Sequence, residues 1–392
     1  MLSVIAAIAG ASMLVACSSS EPAAAGGGGG GAADFGVPGA PAWLASAAVK
    51  TSGQAVENHD CRTGICRHNE NTDLIAWKGA TYLVHRTAES QVLGPNSSLV
   101  LFRTTDAGAT FPEVARLAAP IDRDLRDPHF FVVGDELHLK ALTRLPVNST
   151  RDSAVDTTAV GAHTKDGVTW SALAPIGPAT WSFWRVKEHA GTYYSAAYQD
   201  GDKGVALFSS KDGLAWTKGA TVYDVAVDTP CEAELVFLPS GRLLALVRMD
   251  GTNDELLGTT GRLRTKVCWS EPPYAAFDCP SVIDGQRLDG PLAFFHGDRL
   301  FVVARKHLPD YGRKRTALFE IEGTLEGGPI TIADRGELPS AGDTAYAGIA
   351  PIDATRSFVS WYAGDVEKDE AWVTGMFNRT DVWLGTIDFT KL

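Results

Sequence analysis

Apolar segments of strand length run along the chain in pairs. An apolar segment, a Gly or Asp turn and a second apolar segment recur six times, about every 50–57 residues. The openings are Asn71-Thr72-Asp73-Leu74, Leu125-Arg126-Asp127-Pro128, Phe183-Trp184-Arg185-Val186, Cys231-Glu232-Ala233-Glu234, Leu288-Asp289-Gly290-Pro291 and Ala345-Tyr346-Ala347-Gly348. The turns that follow include Lys78-Gly79, Gly134-Asp135, Ala190-Gly191, Ser240-Gly241, Gly297-Asp298 and Asp353-Ala354. Gly, Pro, Val, Thr and aromatic residues punctuate the chain throughout, which predicts little helix. Short strands at this period predict an all-β fold, a six-bladed β-propeller with one four-stranded blade per repeat. Every first strand then starts at one mouth of a central channel. Asp73, Asp127, Arg185, Glu232, Asp289 and Tyr346 are expected to converge there.

The N-terminus changes the picture of where the protein works. Residues 1–16 are apolar or small and end in Leu14-Val15-Ala16-Cys17, which resembles a bacterial lipobox, although no Lys or Arg precedes the apolar run. The segment is too short to span a bilayer and reads as a cleaved signal. Cys17 is expected to become a lipidated N-terminus, leaving the protein exported and lipid-anchored to a bacterial membrane; an ordinary secretory signal is the alternative. Ala, Gly and Pro dominate the next stretch, with Gly26 to Gly31 unbroken, so 17–50 reads as a flexible tether and 51–392 as the propeller. Export permits disulfides. Cys61 with Cys66 and Cys268 with Cys279 are the expected local pairs, leaving Cys231 unpaired. Cys pairs without a matching His set make a poor zinc site, and no metal is expected. A net charge of −12 gives no reason to expect nucleic acid as a partner. The absence of a phosphate-binding loop or dinucleotide fingerprint points to no cofactor.

Three further segments share a pattern: Thr104-Thr105-Asp106-Ala107-Gly108 followed by Phe111, Thr164-Lys165-Asp166-Gly167 followed by Trp170, and Ser210-Lys211-Asp212-Gly213 followed by Trp216. Each resembles the Asp-box of the sialidase superfamily. An Asp side chain that accepts backbone N–H bonds, a Gly in left-handed conformation and a ring packed back on the blade make a tight turn between outer strands. Its role is structural, on the face opposite the mouth.

The mouth sharpens this resemblance. The stretch from Glu232 to Arg248 looks like the blade of exo-sialidases in which a Glu opens one strand and an Arg closes the next. Asp343 to Asp353 looks like the nucleophile strand, with Tyr346 in the nucleophile's place. The resemblance implies a retaining glycoside hydrolase in which Glu232 deprotonates Tyr346. A neutral phenol avoids the repulsion a carboxylate nucleophile would suffer from a substrate carboxylate. Arg248 has counterparts in Arg86, Arg144 and Arg305, which close second segments of other repeats, and Arg315 opens the strand after Arg305. Arg248, Arg305 and Arg315 are the expected carboxylate clamp, since the guanidinium fork fits a carboxylate bidentately. The alternative is that they tie blades together through acidic neighbours.

The chain departs from that pattern twice. Where sialidases carry an acid/base Asp it has Gln91, with Glu89 nearby. Where their first strand carries an Arg-Ile-Pro motif it has Arg67-His68-Asn69-Glu70. His68 and Asp73 fill that opening. Asp127 and Arg126 open the second blade. A carboxyl beside a guanidinium is expected to have a lowered pKa, which suits a base, so Glu89 is the expected acid and His68 its substitute. Trp184, beside Arg185, is placed to stack on a sugar, or with Trp181 belongs to the core. The first reading is a surface-anchored exo-glycoside hydrolase acting on an acidic sugar. The second is a glycan-binding propeller without turnover, and the third a protein-interaction scaffold.

Overall fold

The structure is a computed structural model and describes residues 40–55, 60–92, 94–145, 157–199, 204–250, 263–309 and 312–392. The expected leader, Cys17 and most of the expected tether lie outside the described residues.

Six four-stranded antiparallel sheets form a six-bladed β-propeller. The first blade comprises β2 (His68–Trp77), β3 (Ala80–Ala88), β4 (Ser98–Thr104) and β5 (Glu113–Ala118). The second has β6 (Asp124–Val133), β7 (Glu136–Arg144), β8 (Thr158–Thr164) and β9 (Ala174–Pro175). The third has β10 (Ser182–His189), β11 (Thr192–Tyr198), β12 (Val205–Ser210) and β13 (Thr217–Tyr223). The fourth has β14 (Pro230–Phe237), β15 (Leu243–Met249), β16 (Arg264–Ser270) and β17 (Asp278–Asp284). The fifth has β18 (Asp289–His296), β19 (Arg299–His307), β20 (Lys314–Gly323) and β21 (Ile330–Glu337). The sixth takes β22 (Thr344–Pro351), β23 (Arg356–Ala363) and β24 (Asp381–Asp388), and its outer strand is β1 (Leu44–Thr51) from the other end of the chain. The propeller therefore begins at Leu44, not at residue 51. The stretch expected to be the end of a tether closes the ring, with Trp43 buried against the last two blades.

Side chains of facing sheets fill the spaces between blades. One cluster joins Leu244, Leu246 and Trp269 of the fourth blade to Val302, Ala304 and Phe319 of the fifth. Another joins Val84, Leu99 and Leu101 of the first to Leu137, Leu139 and Val160 of the second. Cys61–Cys66 and Cys268–Cys279 are disulfide-bonded, and Cys231 is free.

The turns at Asp106, Asp166 and Asp212 join third to fourth strands. Asp166 Oδ1 accepts the backbone N–H groups of Val168 and Thr169, and Asp212 Oδ1 those of Leu214 and Ala215. Each turn places a left-handed Gly against an aromatic ring of the preceding blade: Gly108 on Phe358, Gly167 on Tyr82, Gly213 on Phe131. A Cβ on Gly167 would lie 2.0 Å from the Tyr82 hydroxyl. Gly167→Ala is therefore expected to destabilise the protein by about 1–3 kcal/mol through forced displacement and a strained φ. Denaturant titration reads this, and an unchanged midpoint would refute the docking role.

Candidate active site

All six inner strands are interrupted at the same place. The register skips Asn71-Thr72 in β2, Asp127-Pro128 in β6, Trp184-Arg185 in β10, Cys231-Glu232 in β14, Gly290-Pro291 in β18 and Tyr346-Ala347 in β22. A bulge re-aims side chains that a regular pleat would turn into a sheet face. Four of them take left-handed backbone at this point: Asn71, Asp127, Gly290 and Tyr346. Repetition of the bulge around the ring brings Asp127, Trp184, Glu232 and Tyr346 to the channel.

Tyr346 donates its hydroxyl hydrogen to Glu232 Oε1. Glu232 Oε2 accepts from Arg248 Nη1 at 2.9 Å and from the Gly290 amide at 2.8 Å. Arg248 Nη1 also lies 3.3 Å from the phenol oxygen. Gly290 admits this packing, since a Cβ there would stand 2.9 Å from the Tyr346 ring. Trp184 meets that ring edge-on, 5.7 Å between centroids, and donates its indole N–H to the Pro291 carbonyl. Burial, then the Glu232 charge, push the Tyr346 hydroxyl well above its ordinary pKa. The phenol therefore keeps its proton until something draws it off.

Asp127 is buried on the same channel. Burial lifts its carboxyl to about 6; Arg126 and Lys140 oppose the shift, and Glu232 and Glu70 add to it. The expected lowering by Arg126, which also bonds Glu70 at 2.8 Å, is present, but burial outweighs it. Asp127 also raises the Tyr346 hydroxyl, so the two groups share one field. Lys140, donating to the Phe183 carbonyl, is drawn down to about 7 by burial despite the Asp127 charge. His129 is held well below its ordinary value, first by burial and then by Lys140, and is a neutral imidazole.

The remaining expected residues lie elsewhere or are otherwise engaged. Glu89 Oε1 stands 3.9 Å from Cys61 Sγ in the disulfide. Asp73 bonds the Phe130 amide and Arg185, which reaches the Ala347 carbonyl; together they strut blades across the channel. Trp184, 1 % exposed, offers no open face for stacking, and Trp181 packs on Phe208 in the third blade. Arg315 pairs with Asp369 at 2.7 Å and Glu337 at 3.6 Å.

His68 is fully buried, its Nε2 3.3 Å from Asp343 and 3.6 Å from Glu70, and its Nδ1 2.9 Å from the Asn378 carbonyl. Burial alone would lower its pKa, but the two carboxylates lift it to about 9. These three side chains group donor atoms as a metal site would. Arg86 and Arg126 already sit on Glu70, so the group fits a protonated imidazole and not a further cation. A histidine with a raised folded pKa adds stability that is full below its unfolded value near 6.5 and fades as pH rises through about 9. His68→Asn should accordingly lose most stability at acid and neutral pH and little above pH 9. Thermal melts from pH 5 to 10 check this, and a pH-independent loss would contradict it.

Sequence reasoning missed Glu70, Asp250, Arg287, His307, Asp343 and Trp372. Arg248 Nε bonds Asp250 at 2.6 Å, Arg287 chelates Asp289, His307 meets Asp289 at 2.9 Å, and Trp372 donates to Asp343. Part of this was findable: Glu70 stands opposite Arg86, and Asp289 opposite Arg305, in cross-strand register.

No family model matches the chain, and no curated protein does. Solved structures do. A Dyadobacter fermentans protein of unknown function matches at 16 % identity over 90 % of this chain and 100 % of its own, with a TM-score of 0.58. Trypanosoma rangeli sialidase in complex with sialic acid matches at 12 % identity over 87 % of this chain and 57 % of its own, with a TM-score of 0.60. The propeller is sialidase-like in fold. A Hadza microbial sialidase matches at 14 % identity over 83 % of this chain and 66 % of its own, with a TM-score of 0.57. This chain spans little more than half of the trypanosomal sialidase, and likeness at such identities carries the fold alone.

Proposed function

We propose that the protein is an exo-acting glycoside hydrolase that retains anomeric configuration through Tyr346. The observation that carries this is the Tyr346–Glu232–Arg248 hydrogen-bonded set, facing a channel that also holds a carboxyl poised near 6. Tyr346 Oη attacks the anomeric carbon as Glu232 takes the phenol proton. The bond to the leaving oxygen breaks, and Asp127 protonates that oxygen. In the second half, water attacks the anomeric carbon and yields a proton to Asp127. The C–O bond to Tyr346 breaks, and the phenol recovers its proton from Glu232. Asp127 takes the acid role expected of Glu89. A signal and Cys17 lipidation would display this site at a bacterial membrane surface, where glycans are the partners.

A general acid must be protonated, so kcat/KM should fall as pH rises through about 6. A panel of aryl glycosides assayed from pH 4 to 9 tests the reading, and Asp127→Asn should remove the alkaline limb on such activated leaving groups. A flat profile in the wild type would remove Asp127 from the mechanism. Failure of every glycoside, with sugar binding retained, would favour the glycan-binding propeller.

A further inference from the structure

A clamp for a substrate carboxylate needs guanidinium groups with charge to spare. Those around Tyr346 have been met from within. Arg248 touches Glu232, Asp250 and Asp289, at 2.9, 2.6 and 3.3 Å. Arg305 bonds Asp343 at 3.0 Å and lies 3.6 Å from Asp289. Arg185 holds Asp73, and Arg86 and Arg126 share Glu70 and Asp124. The decisive placement is that of Asp289. It is fully buried, and its two carboxylate oxygens face Arg248 and Arg305 respectively, between the two guanidiniums expected to grip a substrate carboxylate. Arg287 grips it bidentately and His307 reaches its Oδ2, which pins it there.

We infer that Asp289 is a built-in carboxylate occupying the anion seat between Arg248 and Arg305, so that the site takes an uncharged sugar. This rests on the glycosidase reading and narrows it. A substrate carboxylate would have to displace a buried ion pair or stand as excess charge among Glu232, Asp250 and Asp289, and either is unfavourable. An uncharged sugar needs only hydrogen bonds, which the partly buried edge formed by Tyr346, Arg248 and Asp250 can give. A phenol nucleophile suits this too: it adds no second ionised carboxylate beside Glu232.

Two experiments separate the inference from the reading beneath it. The first needs no turnover. Asp289→Ala empties the seat, and sodium acetate should raise the melting temperature of this variant above that in sodium chloride of equal ionic strength, while leaving the wild type unmoved. Asp289→Ser, which also vacates the seat and leaves a hydroxyl to the guanidiniums, carries the same test if the alanine variant fails to fold. Wild type stabilised by acetate as strongly as the variant, or a folded variant indifferent to it, would overturn the inference even if glycosides are hydrolysed. The second uses aryl glucoside with aryl glucuronide, and an aryl nonulosonate methyl ester with its free acid. The wild type should prefer the neutral member by about tenfold or more, with Asp289→Asn narrowing or reversing the ratio. A wild type preferring the acid would also overturn it. Absence of hydrolysis throughout, with acetate rescue intact, would count against the glycosidase reading alone.

Discussion

Replacing Tyr346 with Phe should abolish glycoside turnover, by a factor on the order of 10³–10⁶, as loss of a nucleophile does in enzymes that use one. The substitution removes one atom. The ring keeps its packing on Gly290 and its edge contact with Trp184. Glu232 loses the phenol hydrogen but keeps Arg248 and the Gly290 amide, so stability should change by only about 1–3 kcal/mol. Steady-state kinetics and a melt on the same sample distinguish chemistry from unfolding. A variant that turns over at the wild-type rate would eliminate the tyrosine mechanism.

Arg248→Ala should show the largest stability loss among the mouth residues exposed to ligand, roughly 3–5 kcal/mol. The guanidinium contacts Glu232, Asp250 and Asp289 together, and Arg287 and Arg305 share the balance of their charge. Those carboxylates, with burial opposed to it, hold the Arg248 charge firmly in place. Deleting it takes from Glu232 its ion-pair partner and leaves Asp250 and Asp289 to Arg287. If Arg248 instead served to grip a substrate carboxylate, the variant would melt near the wild-type temperature and lose affinity for acidic ligands only. Chemical denaturation with ligand titration of an acid and its ester decides between these.

The fold was legible because a propeller writes itself into sequence as repeated pairs of apolar segments with turn residues between them. The closing strand was not. β1 is Ala-rich, it follows a Gly-rich run, and its partner β24 lies at the other end of the chain. Nothing local marks such a pairing. At the mouth, Tyr346, Glu232 and Arg248 were legible because up-and-down strands return to one face. The proton affinity of Asp127 was not, because burial, which the sequence does not display, outweighs the lowering by its neighbour Arg126. Arg315 misled for a related reason. It stands second in β20, and its side chain turns to Asp369, while Lys314 beside it turns inward to His307. Alternation along a strand sends neighbours to opposite faces, and a shift of one residue changes which reaches the site.

Retention through Tyr346 requires a covalent glycosyl bond on its phenol oxygen. An aryl 2-deoxy-2-fluoro glycoside with a good leaving group, chosen from the sugar that the aryl panel shows to be hydrolysed, slows breakdown of such an intermediate more than its formation when the leaving group is activated. Mass spectrometry of the quenched protein after proteolysis should find one added glycosyl unit, on the peptide that contains Tyr346, and none on Tyr346→Phe. Hydrolysis with the adduct on a carboxylate, or on any peptide lacking Tyr346, would contradict the account.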